Sequence, residues 1–299
     1  MKYKNTISIL VIIVAILSLF STSYAIFSNH GQGEYEYKSI YGESVSIYGK
    51  GLYVHDSVSM AAQAIAQDYV TLFLGVPLLL LSFYLYRKGL LKGSLLLTGT
   101  LGYFLYTYAS YSFLSMYNSM FLIYVALMSA SFFAFTLMMV SYEIHNLPLF
   151  FAEKTPVKFL GGFLLFVSFV FGMMWTGKLG FPLLKQTPPP EDLQHYTTFV
   201  IQALDLGFVV PAGLLAGVLL MMRKPFGYLL APVIIIKEIT LLTAMTAMIF
   251  LQIRAGVEIG SMLVWSIVLF NLVVIYCMFL VLRNIKEVKN HKSSSSLSL

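Results

Sequence analysis

Eight long apolar runs separated by short polar segments dominate this chain, at residues 7–27, 68–86, 93–113, 120–142, 159–179, 198–222, 227–253 and 261–282. A hydrocarbon layer about 30 Å thick takes about 20 helical residues at roughly 1.5 Å rise each, so every run is long enough to cross it. Helices are the expected conformation, because a lone strand leaves its backbone groups unpaired in lipid. The runs are continuously apolar and lack the period-two alternation of a membrane barrel. The expected fold is therefore an all-α, polytopic integral membrane bundle of eight transmembrane helices. It forms a single transmembrane domain over residues 1–292, with outer loops at 28–67 and 180–197 and a disordered, serine-rich cytoplasmic tail at 293–299.

The first run has a second reading. Lys2 and Lys4 precede an apolar stretch that ends in Ser23, Tyr24 and Ala25, the layout of a cleavable secretory signal. Cleavage leaves seven spans and an outside N-terminus. Retention as an anchor is favoured by the apolar residues that resume at Ile26 and Phe27 and by the repeat described below.

Composition agrees with a lipid-covered surface: 59% of residues are hydrophobic and 11% charged, with a mean hydropathy of +0.82. Soluble domains run at roughly half apolar and about a quarter charged. Charge then supplies sidedness. With the N-terminus inside, the inner segments hold thirteen basic residues (Lys2, Lys4, Arg87, Lys88, Lys92, Lys154, Lys158, Arg223, Lys224, Arg283, Lys286, Lys289 and Lys292). The outer segments hold five (Lys38, Lys50, Lys178, Lys185 and Arg254) and most of the acids. Basic loops stay cytoplasmic, so the expectation is a multi-pass protein of the cell membrane with both termini in the cytoplasm. The net charge of +6 thus reflects orientation and attraction to anionic lipid, and nucleic acid is not an expected partner.

A weak internal likeness suggests two parallel halves, 1–147 and 148–292. QDYVTLFLGVPLLLL in the second run and QALDLGFVVPAGLL in the sixth both carry Gln and Asp ahead of a proline, Pro77 or Pro211, and both runs end in Arg-Lys. Small residues mark helix contacts: Ala126, Ala130 and Ala134 in the fourth run, Gly213 and Gly217 in the sixth. With Pro211, these place the sixth run at the centre of the bundle. Tyr103, Tyr106, Tyr108, Tyr111, Tyr117 and Tyr124 read mainly as an interfacial aromatic belt, with a stacked ligand site as the alternative.

Three charges inside the apolar runs carry the functional argument: Asp205, Lys237 and Glu238. Translocon scales assign roughly 2.5–3.5 kcal/mol to Asp, Lys or Arg at a helix centre, so such groups are paired, hydrated or used. Gln202 and Thr240 extend them into polar stripes at i, i+3 spacing, and Asp68 heads the related second run. Asp205 should sit on the order of 10 Å nearer the outside than Lys237, so something must fill the gap between them. One reading is a carboxylate that exchanges a proton or cation during transport; the other is a structural cluster that sets helix register.

The outer loops hold a second set, His55, Asp56 and His195, which are candidates for a metal or for acid and base chemistry, although their spacing matches no defined motif. The lone Cys277 cannot form an intramolecular disulfide, and the five histidines all fall outside the runs, which leaves no ligands for a haem buried among the helices. No GxSxG, HExxH or Walker A motif occurs, and no cofactor is expected. The favoured function is a transporter of a small solute or ion in the lipid bilayer. A membrane-embedded enzyme with an extracytoplasmic His and carboxylate site, and a sensor or assembly protein, remain alternatives.

Overall fold

In the computed structural model, which describes residues 3–287, the chain is an all-helical bundle with one small hairpin. Lys2, Lys289, Lys292, His291 and the tail 293–299 lie outside the described residues. In chain order the elements are α1 (Lys4–Phe27), β1 (Tyr35–Lys38), β2 (Ser44–Ile47), α2 (Val58–Val70), α3 (Val76–Arg87), α4 (Leu91–Leu114), α5 (Phe121–Val140), α6 (Val157–Lys185), α7 (Val200–Leu204), α8 (Val210–Met221), α9 (Gly227–Arg254) and α10 (Ser261–Asn284). Wide π turns, Thr71–Gly75 and Asp205–Val209, join α2 to α3 and α7 to α8. Among the described residues, seven helices are long and apolar enough to cross a membrane. The remaining long helix, α4, has 24 residues but is richer in Gly, Ser, Thr and Tyr.

Those polar residues make sense once α4 is seen to be the most enclosed helix. Sixteen of its residues are buried, against six in the sixth run from α7 through α8. The third run is therefore the central one, not the sixth. Its glycines explain how. A Cβ on Gly99 would lie 2.5 Å from Ile236 Cβ and 2.9 Å from the Val233 carbonyl, so α4 and α9 approach as closely as their backbones permit. The glycine pair of the sixth run faces α6 instead: a Cβ on Gly217 would meet the Gly161 carbonyl at 2.8 Å. In α5, Ala130 and Ala134 are buried, whereas Ala126 faces outward.

The second helix starts ten residues before the expected boundary. Ser57 caps it by accepting from the Met60 N–H at 3.2 Å, and Ser59, Gln63 and Gln67 occupy its first turns. Hydropathy misses this stretch because several of its polar groups bond to protein. Gln67 Nε2, for example, donates to the Tyr103 hydroxyl at 2.7 Å and to Thr107 Oγ1 at 3.0 Å. The outer loop also folds an antiparallel hairpin that pairs Tyr35 with Ile47 and Lys38 with Ser44.

The likeness of the second and sixth runs extends to the backbone. In each, the residue before the proline donates its N–H five residues back, Val76 to Thr71 and Val210 to Asp205. The cause is the proline ring, which clashes with the carbonyl four residues earlier and is relieved by a wider turn. Aligned on these turns, Asp205 corresponds to Thr71, so Asp68 and Asp205 are not equivalent positions.

Basic helix ends gather on one face. Lys4 Nζ donates to the Arg87 carbonyl at 3.3 Å, and Glu287 caps α4 by accepting from the Leu91 and Lys92 N–H groups at 2.9 and 2.8 Å. Phe151 bridges to Ile285 and packs on Tyr228, with ring centroids 5.1 Å apart, which ties the 150s segment and the start of α9 to the same end. At the opposite end, the two outer loops meet each other.

Candidate functional site

Asp205 occupies the first position of the second wide turn, 8% exposed, with each carboxylate oxygen held by an aromatic donor. The Tyr106 hydroxyl of α4 donates to Oδ1 at 2.7 Å, and the Trp175 indole of α6 donates to Oδ2 at 2.9 Å. On α9, Lys237 Nζ donates to Glu238 Oε1 at 2.8 Å. The same ammonium sits 4.4 Å from the centre of the Tyr106 ring. Tyr106 thus fills the gap between Asp205 and Lys237, its hydroxyl on the acid and its face to the cation. This placement depends on the tight α4–α9 crossing, which brings the Lys237 stem within 3.7 Å of where a Cβ on Gly102 would lie.

Beside this network lies a cavity of about 190 Å³ between α2, α4, α6, the second wide turn, α9 and α10. Asp205, Glu238, Tyr106 and Trp175 line its deep part, among Phe163, Phe171, Met245 and Phe270. Asp56, Gln63 and Gln67 also line it. Gln202 and Thr240 are buried but are not in its wall, and Thr240 Oγ1 donates to the Ile236 carbonyl of its own helix at 3.3 Å. The structure therefore brings together Asp205, Lys237 and Glu238 and leaves Gln202 and Thr240 aside.

Asp68 belongs to a different cluster. It accepts from the Tyr53 hydroxyl at 2.5 Å and the Tyr111 hydroxyl at 3.3 Å, which pins the outer loop to α2. Tyr103, Tyr108, Tyr111 and Tyr124 turn inward around it and are at most 8% exposed, while Tyr117 is 79% exposed. Most of the expected aromatic belt is thus an interior network, because these tyrosines lie on helix faces that pack against α1 and α2.

The outer residues His55, Asp56 and His195 meet without forming a ligand set. His195 Nε2 donates to the backbone carbonyl of His55 at 3.0 Å, so this nitrogen is held by backbone. Asp56 accepts through Oδ1 from the Tyr196 hydroxyl at 2.9 Å and from the Met116 N–H at 3.1 Å. Among the described residues, no three His, Cys, Asp or Glu side chains are placed to hold a metal ion. What the contacts build is a clasp between the loops, closed by the Tyr196 hydroxyl, which also accepts from the Ser57 N–H at 3.3 Å.

Burial raises the Asp56 carboxyl to about 6, against smaller lowering by the Met116 N–H and the Tyr196 hydroxyl. The folded clasp therefore prefers the protonated acid. Its contribution is full below the ordinary value of 3.8 and is lost as pH rises through about 6. His195 works the other way: burial lowers it, so its contribution is present above the ordinary 6.5 and is lost on acidification. Asp56→Asn removes the first dependence alone. Limited proteolysis of the loop around Tyr196 at pH 5 and pH 7.5 should show wild type loosening at the higher pH by on the order of 1 kcal/mol relative to the variant. Equal pH responses of the two proteins would refute the assignment.

Tyr106, expected in an aromatic belt, and Trp175 are the partners of Asp205 that the sequence alone does not identify. The only signal was indirect: a buried acid requires donors, and both residue types are donors in neighbouring runs. Comparisons with family models, with curated proteins and with solved structures give no match to this chain.

Proposed function

We propose that this chain is an eight-span protein of the cell membrane, with both termini cytoplasmic, that moves a small solute or ion through the cavity beside Asp205. The carrying observation is a carboxylate at a wide helical turn, held only by neutral donors, in the wall of a largely apolar cavity. Wide turns of this kind recur at functional sites, and acids inside membrane helices mark ion or proton paths.

Counting α4 as the eighth span is supported by its length, on the order of 36 Å at the helical rise, and by the burial of its polar residues against protein. Sidedness is supported by the contacts that collect Lys4, Arg87, Lys92 and Lys286 at one end. Retention of the first helix is supported by its buried face of Ile7, Val11, Val14, Ser18, Ser21 and Thr22. The enzyme alternative draws less support, since the His195 and Asp56 side chains are spent on holding the loops together.

Proteoliposomes carrying an internal pH dye and challenged with Na⁺, K⁺ and small organic solutes provide the test. Wild type is expected to change internal pH with at least one of these, and Asp205→Asn to abolish the response. Full retention of the response in that variant overturns the proposal.

A further inference from the structure

The outer loop between α6 and α7 is fastened on two sides of the cavity. On the α6 side, Lys178 Nζ donates to Asp192 and lies 6.0 Å from the centre of the Phe199 ring, so one cation holds both ends of the segment. The same ammonium lies 5.4 Å from the ring of Trp175, one turn earlier in α6. On the far side, the Tyr196 hydroxyl donates to Asp56 and accepts from the Ser57 N–H, while His195 bonds to the His55 carbonyl. Asp56 and Trp175 both belong to the cavity wall, and so does Ile201, in the helix that the loop enters. Met60, Leu114 and Ser115, also in the wall, adjoin the segments that Asp56 joins, because Ser57 caps α2 and the Met116 N–H donates to Asp56. Residues 191–199 therefore form a strap that links the α6 wall to the α2 and α4 wall at their loop ends.

The fastened position is opposed from within. Gln194, between the two anchor points, has a φ of 55°, a left-handed backbone that a side chain disfavours. Gln194 Oε1 and His195 Nδ1 are both buried without a hydrogen-bond partner. Such atoms are costly in a protein interior, and water takes up both once the strap lifts. The fastenings are few: an ion pair whose side chains are 31% and 50% exposed, which solvent weakens, and the hydrogen bonds of His195 and Tyr196. Strain and dry polar atoms set against few contacts describe an element balanced between two positions.

We infer that the 191–199 strap is the outer gate of the cavity: fastened to Lys178 and Asp56 it closes the loop end, and released from them it admits a solute from that side. The strap runs directly into α7 and then the wide turn that bears Asp205, so its release is passed to the carboxylate along the chain. The inference rests on the transport reading for what passes the gate, but not for the gate itself.

A thiol placed in the cavity wall reads the gate. Ser110, on α4 and 8% exposed, lines the cavity, and Ser110→Cys is a small change there. Native Cys277, buried and outside that wall, is the internal control. The full-length protein in nanodiscs is treated with a membrane-impermeant methanethiosulfonate, and peptide mass mapping resolves the two positions. Tyr196→Phe, which takes the hydroxyl from Asp56 and Ser57, should speed modification at position 110 by at least about tenfold, the ratio that one hydrogen bond to a charged group supplies. Asp192→Asn, at the exposed anchor, should speed it by about threefold, and this variant decides the case if Tyr196→Phe does not fold. Cys277 should keep its original rate in both.

Unchanged modification at position 110, or equal acceleration at positions 110 and 277, overturns the gate. The pH response of proteoliposomes is the separate readout for transport. Faster modification at position 110 in a protein that gives no such response keeps the gate and removes transport. A solute-driven pH response, with modification unmoved by either variant, removes the gate and keeps transport.

Discussion

Lys237→Met should be the most damaging single change in the membrane-embedded network, lowering stability by about 3–5 kcal/mol. The pair Lys237 and Glu238 is well enclosed, with side chains 11% and 18% exposed. Removing the ammonium leaves the Glu238 carboxylate facing an apolar cavity that already holds Asp205. It also removes the cation from the face of Tyr106, the residue that holds Asp205. Glu238→Gln should cost less, because Lys237 retains the Tyr106 ring and an amide oxygen. The double variant Lys237→Met/Glu238→Gln should recover much of the loss, since an uncharged pair needs no counter-ion. Thermal unfolding of the three proteins in one detergent measures this. Additive losses in the double variant would show that the two residues do not act as a pair.

Gly99→Val should disrupt the bundle at the crossing that builds the site. The new Cβ would lie 2.5 Å from Ile236 Cβ and 2.6 Å from its Cγ2, with the Val233 carbonyl at 2.9 Å. A β-branched neighbour and a backbone carbonyl cannot swing aside as the end of a flexible chain does. The helices must therefore separate, at a cost of about 1–3 kcal/mol or more. Separation also carries Lys237 away from Tyr106, so solute-driven pH responses should fall along with stability. Gly162, with nothing within 4 Å of an added Cβ, is the matched control: Gly162→Ala should be nearly neutral. A Gly99→Val protein that melts with the Gly162→Ala protein would show that the α4–α9 approach is looser than described.

The helical segments were largely legible in the chain, because hydropathy along a helix is a local quantity and the lipid-facing surface imposes it on most spans. Two departures have the same cause. The sequence pattern puts the start of α2 in a loop, and α4, although it has the length and hydropathy of a span, carries many polar groups. In both, protein rather than lipid surrounds the polar residues, so the Gln67 amide donates to Thr107 where hydropathy registers only their cost. The tyrosines of α4 misled in the same way. Tyr103 and Tyr111 resemble interfacial anchors by position, yet their hydroxyls are bonded inside the bundle.

The site divides along a similar line. Asp205, Lys237 and Glu238 stand out in a one-dimensional reading because charge is conspicuous in an apolar run. Their partners do not, because a tyrosine 99 positions and a tryptophan 30 positions from Asp205 look like ordinary membrane aromatics until the helices are packed. Membrane class, helix positions and the bias of basic residues to one set of loops follow from composition and local order, which suffice because transfer into lipid is summed residue by residue. The central place of α4, the bridging of acid and lysine by Tyr106, and the cavity beside Asp205 arise only from packing. Close approach and hydrogen bonding join residues that are remote in the chain, and no local pattern specifies which helix will face which.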